Sequence, residues 1–451
     1  MDFKQLTEEI KNEFLREWGE NRGDLRGVLL LQKKAIIGYE REVRYFKEKI
    51  ADLIDRKGLG DTEFPEWYPT LVDAVFHENW GLAGVAEWFG PRYRESSSAK
   101  IIGERIYFLE GGRMRLMPQS VSRERRDQLV RAFLLLTPEE RMDKDYHEIY
   151  LLDGTRITIF RGSLTKDGQD TIVFRRYIVP NYTFEEQAER GTIPREAVPL
   201  LKAMAGAGFN VAFTGPLRSA KTTFLSTWQA MEDPTLEGVM VETDPEIPLH
   251  RLMPGAPIVQ ILADGERLES VSKNLLRSDA DYIVLAEARD GAALDLAVRM
   301  AGKGTRRMKM TFHLRDPYDF PYDAAWEIVK TRGTALDETA RKVAAGFDYI
   351  FHFVQLKDKR KKRLRGIYEM RAGRTAASIE IEPVCLYDFE SDSWSFRNVF
   401  SPSKRAIASE ENPGSERVIA DLLEDLSMRF PMTKGGGDDR SRVRSAGAPA
   451  S

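Results

Sequence analysis

The hydrophobic and polar positions of the first 57 residues follow a helical period. Apolar residues recur every three or four positions on what would be one helix face: Phe3, Leu6, Ile10, Phe14 and Trp18. After a glycine-containing break at 19–23, a second helix is predicted over 25–56, ended by the glycines at 58 and 60. We predict that residues 1–60 form a helical region whose apolar face packs into a core. A helix on a membrane surface is the less favoured alternative, because the polar face mixes acids and bases.

Residues 61–180 are predicted to form an α+β domain. Strand patterns at 104–109 and 113–117 flank a Glu-Gly-Gly turn, which is typical of a hairpin. Further strand patterns at 155–160 and 171–177 flank a polar turn. The prolines and glycine that follow indicate a linker, which we place at 181–196.

From residue 197 onward, short apolar runs alternate with helical patterns. This alternation predicts an α/β domain with a mainly parallel sheet over 197–433. The predicted strands are 209–214, 238–241, 258–262, 282–285, 309–312, 348–356, 365–370 and 378–387. Residues 434–451 are rich in Gly, Ser and Arg, and we predict that they are disordered.

Composition narrows the classes of function. The 451 residues contain 68 Lys and Arg against 71 Asp and Glu, a balance that argues against a protein that coats nucleic acid. The single cysteine, Cys385, excludes a disulfide framework or a cysteine zinc site, and it suits a reducing cytosol. No run approaches the roughly 20 apolar residues that span a bilayer, so we expect any membrane association to be peripheral.

The strongest chemical signal is a phosphate-binding loop between an apolar strand and a helix. In such loops backbone N–H groups and a helix N-terminus face phosphates, a lysine reaches between them, and a hydroxyl binds Mg²⁺. The pattern G-x-x-x-x-G-K-[ST] requires glycine at position 220, where this chain has alanine. The alternative is a lysine-capped surface turn. The candidate nucleotide-binding residues are Gly215, Pro216, Leu217, Arg218, Ser219, Ala220, Lys221, Thr222 and Thr223.

Three further signals follow predicted strands, at the sheet edge where open α/β folds bind ligands. Glu287 would hold the water shell of Mg²⁺ or polarise the attacking water, and the alternative is a solvated Glu–Arg pair. Glu242 and Glu246 belong to an acidic turn that offers a base towards water, although such turns are common. His313 would sense a terminal phosphate, or it is a structural hydrogen-bonding residue.

A basic run at 357–365 lies between two predicted strands. It is expected to be a solvated hairpin tip, and the alternative is a contact with anionic lipid or an acidic partner.

These elements, in this order, resemble the type II/IV secretion-system ATPase family of hexameric motors. Residues 275–317 read LLRSDADYIVLAEARDGAALDLAVRMAGKGTRRMKMTFHLRDP, which is similar to the family's Walker B stretch followed by its His box. The acidic turn is similar to the family's Asp box. The zinc tetracysteine of one branch is absent, so the tight-adherence pilus and conjugation branch is the better match.

The resemblance implies a RecA-like P-loop NTPase C-terminal domain after a smaller α+β N-domain and a helical region. It implies ATP and Mg²⁺ as ligands, ATP hydrolysis, and a homo-oligomer, a hexamer. It also implies an inner-membrane platform protein as partner and a cytoplasmic location, peripheral at the membrane face. Thr222 and Glu287 would bind the Mg²⁺ ion. The catalytic residues that the resemblance implies are Glu287, Glu246, Glu242, His313, Arg156 and Arg175.

The chain also departs from the family pattern. Arg218 and Ala220 replace loop glycines, and Thr243 stands where the Asp-box aspartate belongs, with Asp244 one place late. Ala286 replaces the Walker B glycine, and a lysine at 303 replaces the first His-box histidine. The alternative function is therefore a structural or regulatory ring subunit of the same machinery that does not hydrolyse ATP. Translocation of nucleic acid is the least favoured reading.

Overall fold

The computed structural model describes residues 2–20, 25–136, 144–176, 181–243, 245–263, 265–275, 280–288, 291–373 and 378–432. The tail predicted to be disordered, 434–451, lies outside the described residues, as do Asp244 and Arg289. The chain divides into two compact units, Met1–Ile178 and Val179–Ser451. Within the described residues, no helix combines the length and the apolar character that crossing a membrane requires.

The first unit combines helices with an antiparallel sheet. Its helices are α1 Phe3–Glu20, α2 Leu25–Ile36, α3 Glu40–Lys57, α4 Leu71–Asn79, α5 Ala86–Phe89 and α6 Arg123–Phe133. Its strands are β1 Ser98–Ile102, β2 Arg105–Glu110, β3 Arg113–Ser120, β4 Tyr146–Tyr150, β5 Arg156–Phe160 and β6 Thr171–Arg175.

The structure confirms that the apolar face of the N-terminal helices packs into a core, but the extent predicted for the second helix is wrong. Leu6, Ile10 and Phe14 of α1 are fully buried in a core that α3 and α4 share. The single helix predicted over 25–56 is two helices, because a turn with Gly38 at φ +93° separates α2 from α3. A positive φ costs glycine little, and it breaks a helix whose apolar period otherwise continues.

The sheet of the first unit has the order β3-β2-β1-β6-β5-β4, and its neighbouring strands run antiparallel. The predicted hairpin is the β2–β3 pair, and the second predicted pair is β5 with β6.

The second unit is built around a larger sheet. Its helices are α7 Phe184–Glu189, α8 Val198–Gly206, α9 Lys221–Gln229, α10 Leu249–Leu252, α11 Gly265–Leu275, α12 Gly291–Gly302, α13 Phe320–Arg332, α14 Leu336–Gly346, α15 Pro402–Glu411 and α16 Ser415–Arg429. Its strands are β7 Val211–Gly215, β8 Gly238–Glu242, β9 Ile258–Leu262, β10 Tyr282–Ala286, β11 Lys309–His313, β12 Tyr349–Gln355, β13 Lys362–Ala372, β14 Ile379–Asp388 and β15 Ser393–Phe396. Helix α7 falls inside the stretch predicted as linker, where Thr183 begins it with a capping box.

The nine-stranded sheet has the order β15-β14-β13-β12-β7-β11-β10-β8-β9. Strands β12 to β9 in this order are parallel, and β13 to β15 extend the sheet antiparallel. Successive residues of β7 enter different cores: Val211 and Phe213 pack on one face, and Ala212 packs on the other. Burial of both faces explains the continuous apolar runs of these strands. The predicted α/β class, with a RecA-like P-loop domain after an α+β and helical region, is confirmed.

Candidate nucleotide-binding site

The loop between β7 and α9 begins at a position that only glycine fits. Gly215 has φ +140°, and a Cβ built on it would lie 2.1 Å from the carbonyl oxygen of Phe353 on the neighbouring strand β12. The strand therefore turns into the loop directly against β12.

Two further loop residues adopt the left-handed conformation without being glycine. Arg218 has φ +61° and Ala220 has φ +79°. This backbone costs an L-residue roughly 1–2 kcal/mol. Ala220 is the N-cap of α9, and the Arg218 side chain is exposed. The pattern G-x-x-x-x-G-K-[ST] expects glycine at 220, and the family that the sequence resembles has glycine at 218 as well. The loop therefore keeps a glycine-type backbone and carries the strain of two side chains.

Lys221, the first residue of α9, turns back over the loop. Its side chain is 6 % exposed, and its Nζ donates a hydrogen bond to the carbonyl oxygen of Pro216 at 2.9 Å. The same Nζ lies 3.3 Å from Nδ1 of His313. Burial lowers the pKa of Lys221 to about 8, although the charges of Glu287 and Glu246 act to raise it.

His313 and Glu287 continue this contact along the sheet edge. His313 ends β11 in register with Gly215, and its Nε2 lies 3.4 Å from Oε1 of Glu287. Glu287 follows β10 with φ +64°, and its backbone N–H donates to Oγ1 of Thr311 at 2.7 Å. The structure thus connects Lys221, His313 and Glu287 by two successive contacts.

The acidic turn after β8 lies at the same edge, because Glu242 pairs in register with Ala286 on β10. Glu242 is 4 % exposed, and its Oε1 accepts the backbone N–H groups of Glu246 at 3.1 Å and Ile247 at 2.9 Å. Glu242 therefore holds the turn that carries Glu246. Glu242 and Glu287 also line one small cavity between β8 and β10.

The remaining loop residues suit a ligand held by phosphate contacts. Thr222 and Thr223 are partly buried in the first turn of α9, and Ser219 is fully buried. In the part of the chain that the structure describes, no group of three or more His, Cys, Asp or Glu side chains could hold a metal ion alone. Mg²⁺ usually keeps several waters and binds one or two protein oxygens together with substrate phosphates. Thr222 and Glu287 fit that donor set.

Arg156 and Arg175 form a pair of their own in the first unit. They are register partners on β5 and β6. Arg156 is 9 % exposed and lies 3.7 Å from Glu148. Directly opposed like charges on a sheet repel each other, and the carboxylate of Glu148 offsets part of this repulsion.

A buried polar pair beneath the loop was not identified from the sequence. Oγ1 of Thr214 and Nδ1 of His352 share a hydrogen bond of 2.9 Å, and both side chains are fully buried. Burial, and then the charges of Arg365 and Lys221, lower the pKa of His352 to about 3. A lone histidine inside the apolar strand pattern of β12 was the available signal, but its partner lies 138 residues away.

Comparison with known proteins gave a family and several similar folds. Residues 155–320 match the family model described as Type II/IV secretion system protein. Among curated proteins, no sequence matches the chain.

Three solved structures are among those that the comparison found to be similar. The VirB11 ATPase of the Brucella suis type IV secretion system is 15 % identical over 63 % of this chain and 92 % of its own, with a TM-score of 0.33. The Legionella pneumophila ATPase DotB is 15 % identical over 74 % of this chain and 85 % of its own, with a TM-score of 0.44. The pilus retraction motor PilT with bound ADP is 12 % identical over 74 % and 86 %, also with a TM-score of 0.44.

The matched segment runs from the strand of Arg156 past the phosphate loop, Glu287 and His313. The family that the resemblance pointed to is therefore the one that the family model finds. Residues 155–320 of this chain therefore match the type II/IV secretion system protein family.

Proposed function

We propose that this chain binds ATP at the loop 215–223 and hydrolyses it as a motor subunit of a type II/IV secretion or pilus-assembly machine. The observation that carries the proposal is the pair of contacts that joins Lys221 to His313 and His313 to Glu287, at the carboxyl edge of a parallel sheet. A cation for the phosphates and a carboxylate for water stand there on either side of one imidazole.

ATP binding would rest on the backbone and on Lys221. The N–H groups of the loop and of the first turn of α9 would face the phosphates, and Lys221 would exchange the carbonyl oxygen of Pro216 for a phosphate oxygen. Thr222 and Glu287 would hold Mg²⁺, which supplies charge neutralisation for the phosphates when it is bound.

Hydrolysis would proceed by positioning, without a covalent intermediate. Glu287 would orient the attacking water and accept its proton. His313 would fix the direction of the Glu287 carboxylate, while Glu242 would hold the turn that brings Glu246 to the same edge.

Assembly into a hexameric ring would complete the site. Arg156 and Arg175 form a cationic pair suited to an anion, and in a ring they would approach a phosphate bound by a neighbouring subunit. The partner would be an inner-membrane platform protein, reached by peripheral association at the cytoplasmic face.

A second candidate function is a ring subunit that binds nucleotide weakly and does not hydrolyse it. The positive φ values of Arg218 and Ala220 favour it, because strain in the loop reduces the free energy available for binding.

Phosphate release from Mg-ATP, measured together with light scattering, tests the proposal. Wild type should form a hexamer with ATP and release phosphate, and Glu287→Gln should bind ATP but release none. Glu338→Gln is a matched control, since it makes the same change on an exposed helix where Glu338 pairs only with Lys342 among the described residues. Turnover in Glu287→Gln equal to that of the control would remove Glu287 from the mechanism. A nucleotide-bound ring without turnover would favour the second candidate.

A further inference from the structure

The loop between β7 and α9, the phosphate loop, is held differently by the two strands beside it. On one flank β7 stays in register with β11 up to Gly215, which pairs with His313 and accepts the backbone N–H of Leu314 at 3.3 Å. On the other flank the register with β12 ends one residue earlier, at Thr214 and His352. This pair is therefore the last register connection between β7 and β12 before the loop begins.

Strand β12 changes its pairing with β13 at the same point. The register shifts between His352 and Phe353, so that one extra residue of β13, Arg365, stands opposite no residue of β12. A bulge of this kind bends the strand and changes the direction of its side chains, and bulges are frequent beside active sites. The carbonyl oxygen of Phe353 lies 2.1 Å from a Cβ built on Gly215. The start of the loop and the bulged part of the hairpin are therefore in direct contact.

The side chains of Thr214 and His352 strengthen this last connection. Oγ1 of Thr214 and Nδ1 of His352 share the hydrogen bond of 2.9 Å, and neither side chain is exposed to solvent. Nε2, the other ring nitrogen, is buried and makes no hydrogen bond of normal geometry within the described residues. The threonine hydroxyl therefore fixes the direction of the imidazole ring, and the ring fixes the rotamer of Thr214.

Stability alone does not require a polar pair at this position. The register pairs that precede it on β7 and β12 are apolar. Replacing both partners of a buried hydrogen bond by apolar groups of the same shape is often nearly neutral for folding. A hydrogen bond adds direction, because its strength depends on distance and angle, whereas the hydrophobic effect is non-directional. The position of the pair, directly before the loop, indicates what that direction is used for.

We propose that His352 is a positioning residue of the nucleotide site: it holds Thr214, and through Thr214 the first residue of the phosphate loop, in the orientation that binds a nucleoside triphosphate. The loop would bind phosphate through backbone N–H groups, so a small rotation where the loop begins would turn these donors away from the ligand. The inference rests on the proposed function, since it assigns the buried pair to the same nucleotide site.

Isosteric substitutions of Thr214, followed by calorimetric titration with Mg-ATP, test this role. Thr214→Val keeps the shape of the side chain and removes the hydroxyl, so it should weaken ATP binding roughly threefold to tenfold, as expected for one buried hydrogen bond. Thr214→Ser keeps the hydroxyl and should restore the affinity of wild type. Tyr349→Phe is the matched control, because it removes a buried hydroxyl that donates to Glu369 at 3.2 Å, at the end of β12 away from the loop. It should bind ATP as wild type does.

The double variant Thr214→Val/His352→Phe separates positioning from stability. It replaces the polar pair by an apolar one, so it should lose less stability in urea than the two single variants together. Its ATP affinity should stay as low as that of Thr214→Val, because an apolar pair does not restore the direction of the loop. The double variant also covers the case in which Thr214→Val fails to fold. Affinity that returns towards wild type together with stability would mean that the pair acts through stability alone, and the inference would be wrong.

The remaining outcomes separate this inference from the proposed function. If Lys221→Ala abolishes ATP binding while Thr214→Val binds ATP as Tyr349→Phe does, the positioning role is overturned and the nucleotide site stands. If Thr214→Ser loses as much affinity as Thr214→Val, packing rather than the hydrogen bond holds the loop, and the positioning role is again overturned. If wild type binds no ATP, the proposed function and the inference both fail.

Discussion

The Lys221 ammonium lies 3.3 Å from Nδ1 of His313, and this contact favours one tautomer of the neutral histidine ring. An ammonium has only donors, so Nδ1 accepts and the proton of the neutral ring lies on Nε2. Nε2 then donates towards Oε1 of Glu287 at 3.4 Å. One imidazole therefore connects the cation of the loop with the carboxylate that would activate water.

The pH dependence of ATP binding should report Lys221. Because burial lowers its pKa to about 8, Lys221 is charged below that pH and progressively neutral above it, so ATP affinity should fall as the pH rises past 8. A bound phosphate favours the charged amine and raises its pKa, so binding near this pH should take up a proton. Calorimetry in two buffers of different ionisation enthalpy measures that uptake, and Lys221→Met should show none. Wild type that binds ATP near pH 8 without taking up a proton would contradict the assignment.

Replacing the two strained loop residues by glycine should stabilise the loop. Arg218→Gly and Ala220→Gly each relieve roughly 1–2 kcal/mol of left-handed backbone strain and lose roughly 0.5–1 kcal/mol to the entropy of glycine. The double variant should therefore unfold in urea at a higher midpoint.

Leu217→Gly is the control for these substitutions, because Leu217 lies in the same loop, is 62 % exposed and is not at positive φ. It should only destabilise the protein. If all three changes lower the midpoint equally, the loop is not strained.

The pair of Thr214 and His352 should show strong coupling in a double-mutant cycle. Thr214→Val and His352→Phe each leave one buried polar atom without its partner, at a cost of about 1–3 kcal/mol in the free energy of unfolding. The double variant removes both atoms and should cost less than the sum. Additive losses would mean that the hydrogen bond contributes nothing.

Glu242 should be needed for the turn more than for proton transfer. Glu242→Ala leaves the N–H groups of Glu246 and Ile247 without their acceptor, so we expect a loss of about 1–3 kcal/mol in unfolding free energy. Glu242→Gln keeps an acceptor oxygen and should recover most of this stability. Full stability with complete loss of phosphate release in Glu242→Gln would instead assign Glu242 to the chemistry.

Local sequence patterns were sufficient for the central elements of the site. Apolar runs followed by charged or polar residues predicted the positions of β7 with the loop, β10 with Glu287 and β11 with His313. Buried parallel strands are apolar throughout, so the polar side chains that can face a ligand lie where the strands end. The break at Gly38 was missed, since the apolar period of the helices continues across it.

The remaining features depend on strand order, which the sequence does not reveal. Thr214 meets His352 because β7 lies next to β12. The hydrogen bonds of Glu242 depend on a turn that closes back on its own strand. No local pattern distinguishes a carboxylate that accepts backbone N–H groups from one that faces a ligand.

Calorimetric titration of wild type and Lys221→Met with Mg-ATP tests the central claim most directly. The nucleotide site predicts saturable binding to wild type at one site per chain. It also predicts a loss of at least about tenfold in Lys221→Met, since an ammonium contributes a charge-assisted bond to phosphate. Equal binding of the two proteins, or no binding to wild type at the same protein concentration, would contradict the claim that residues 215–223 hold a nucleotide.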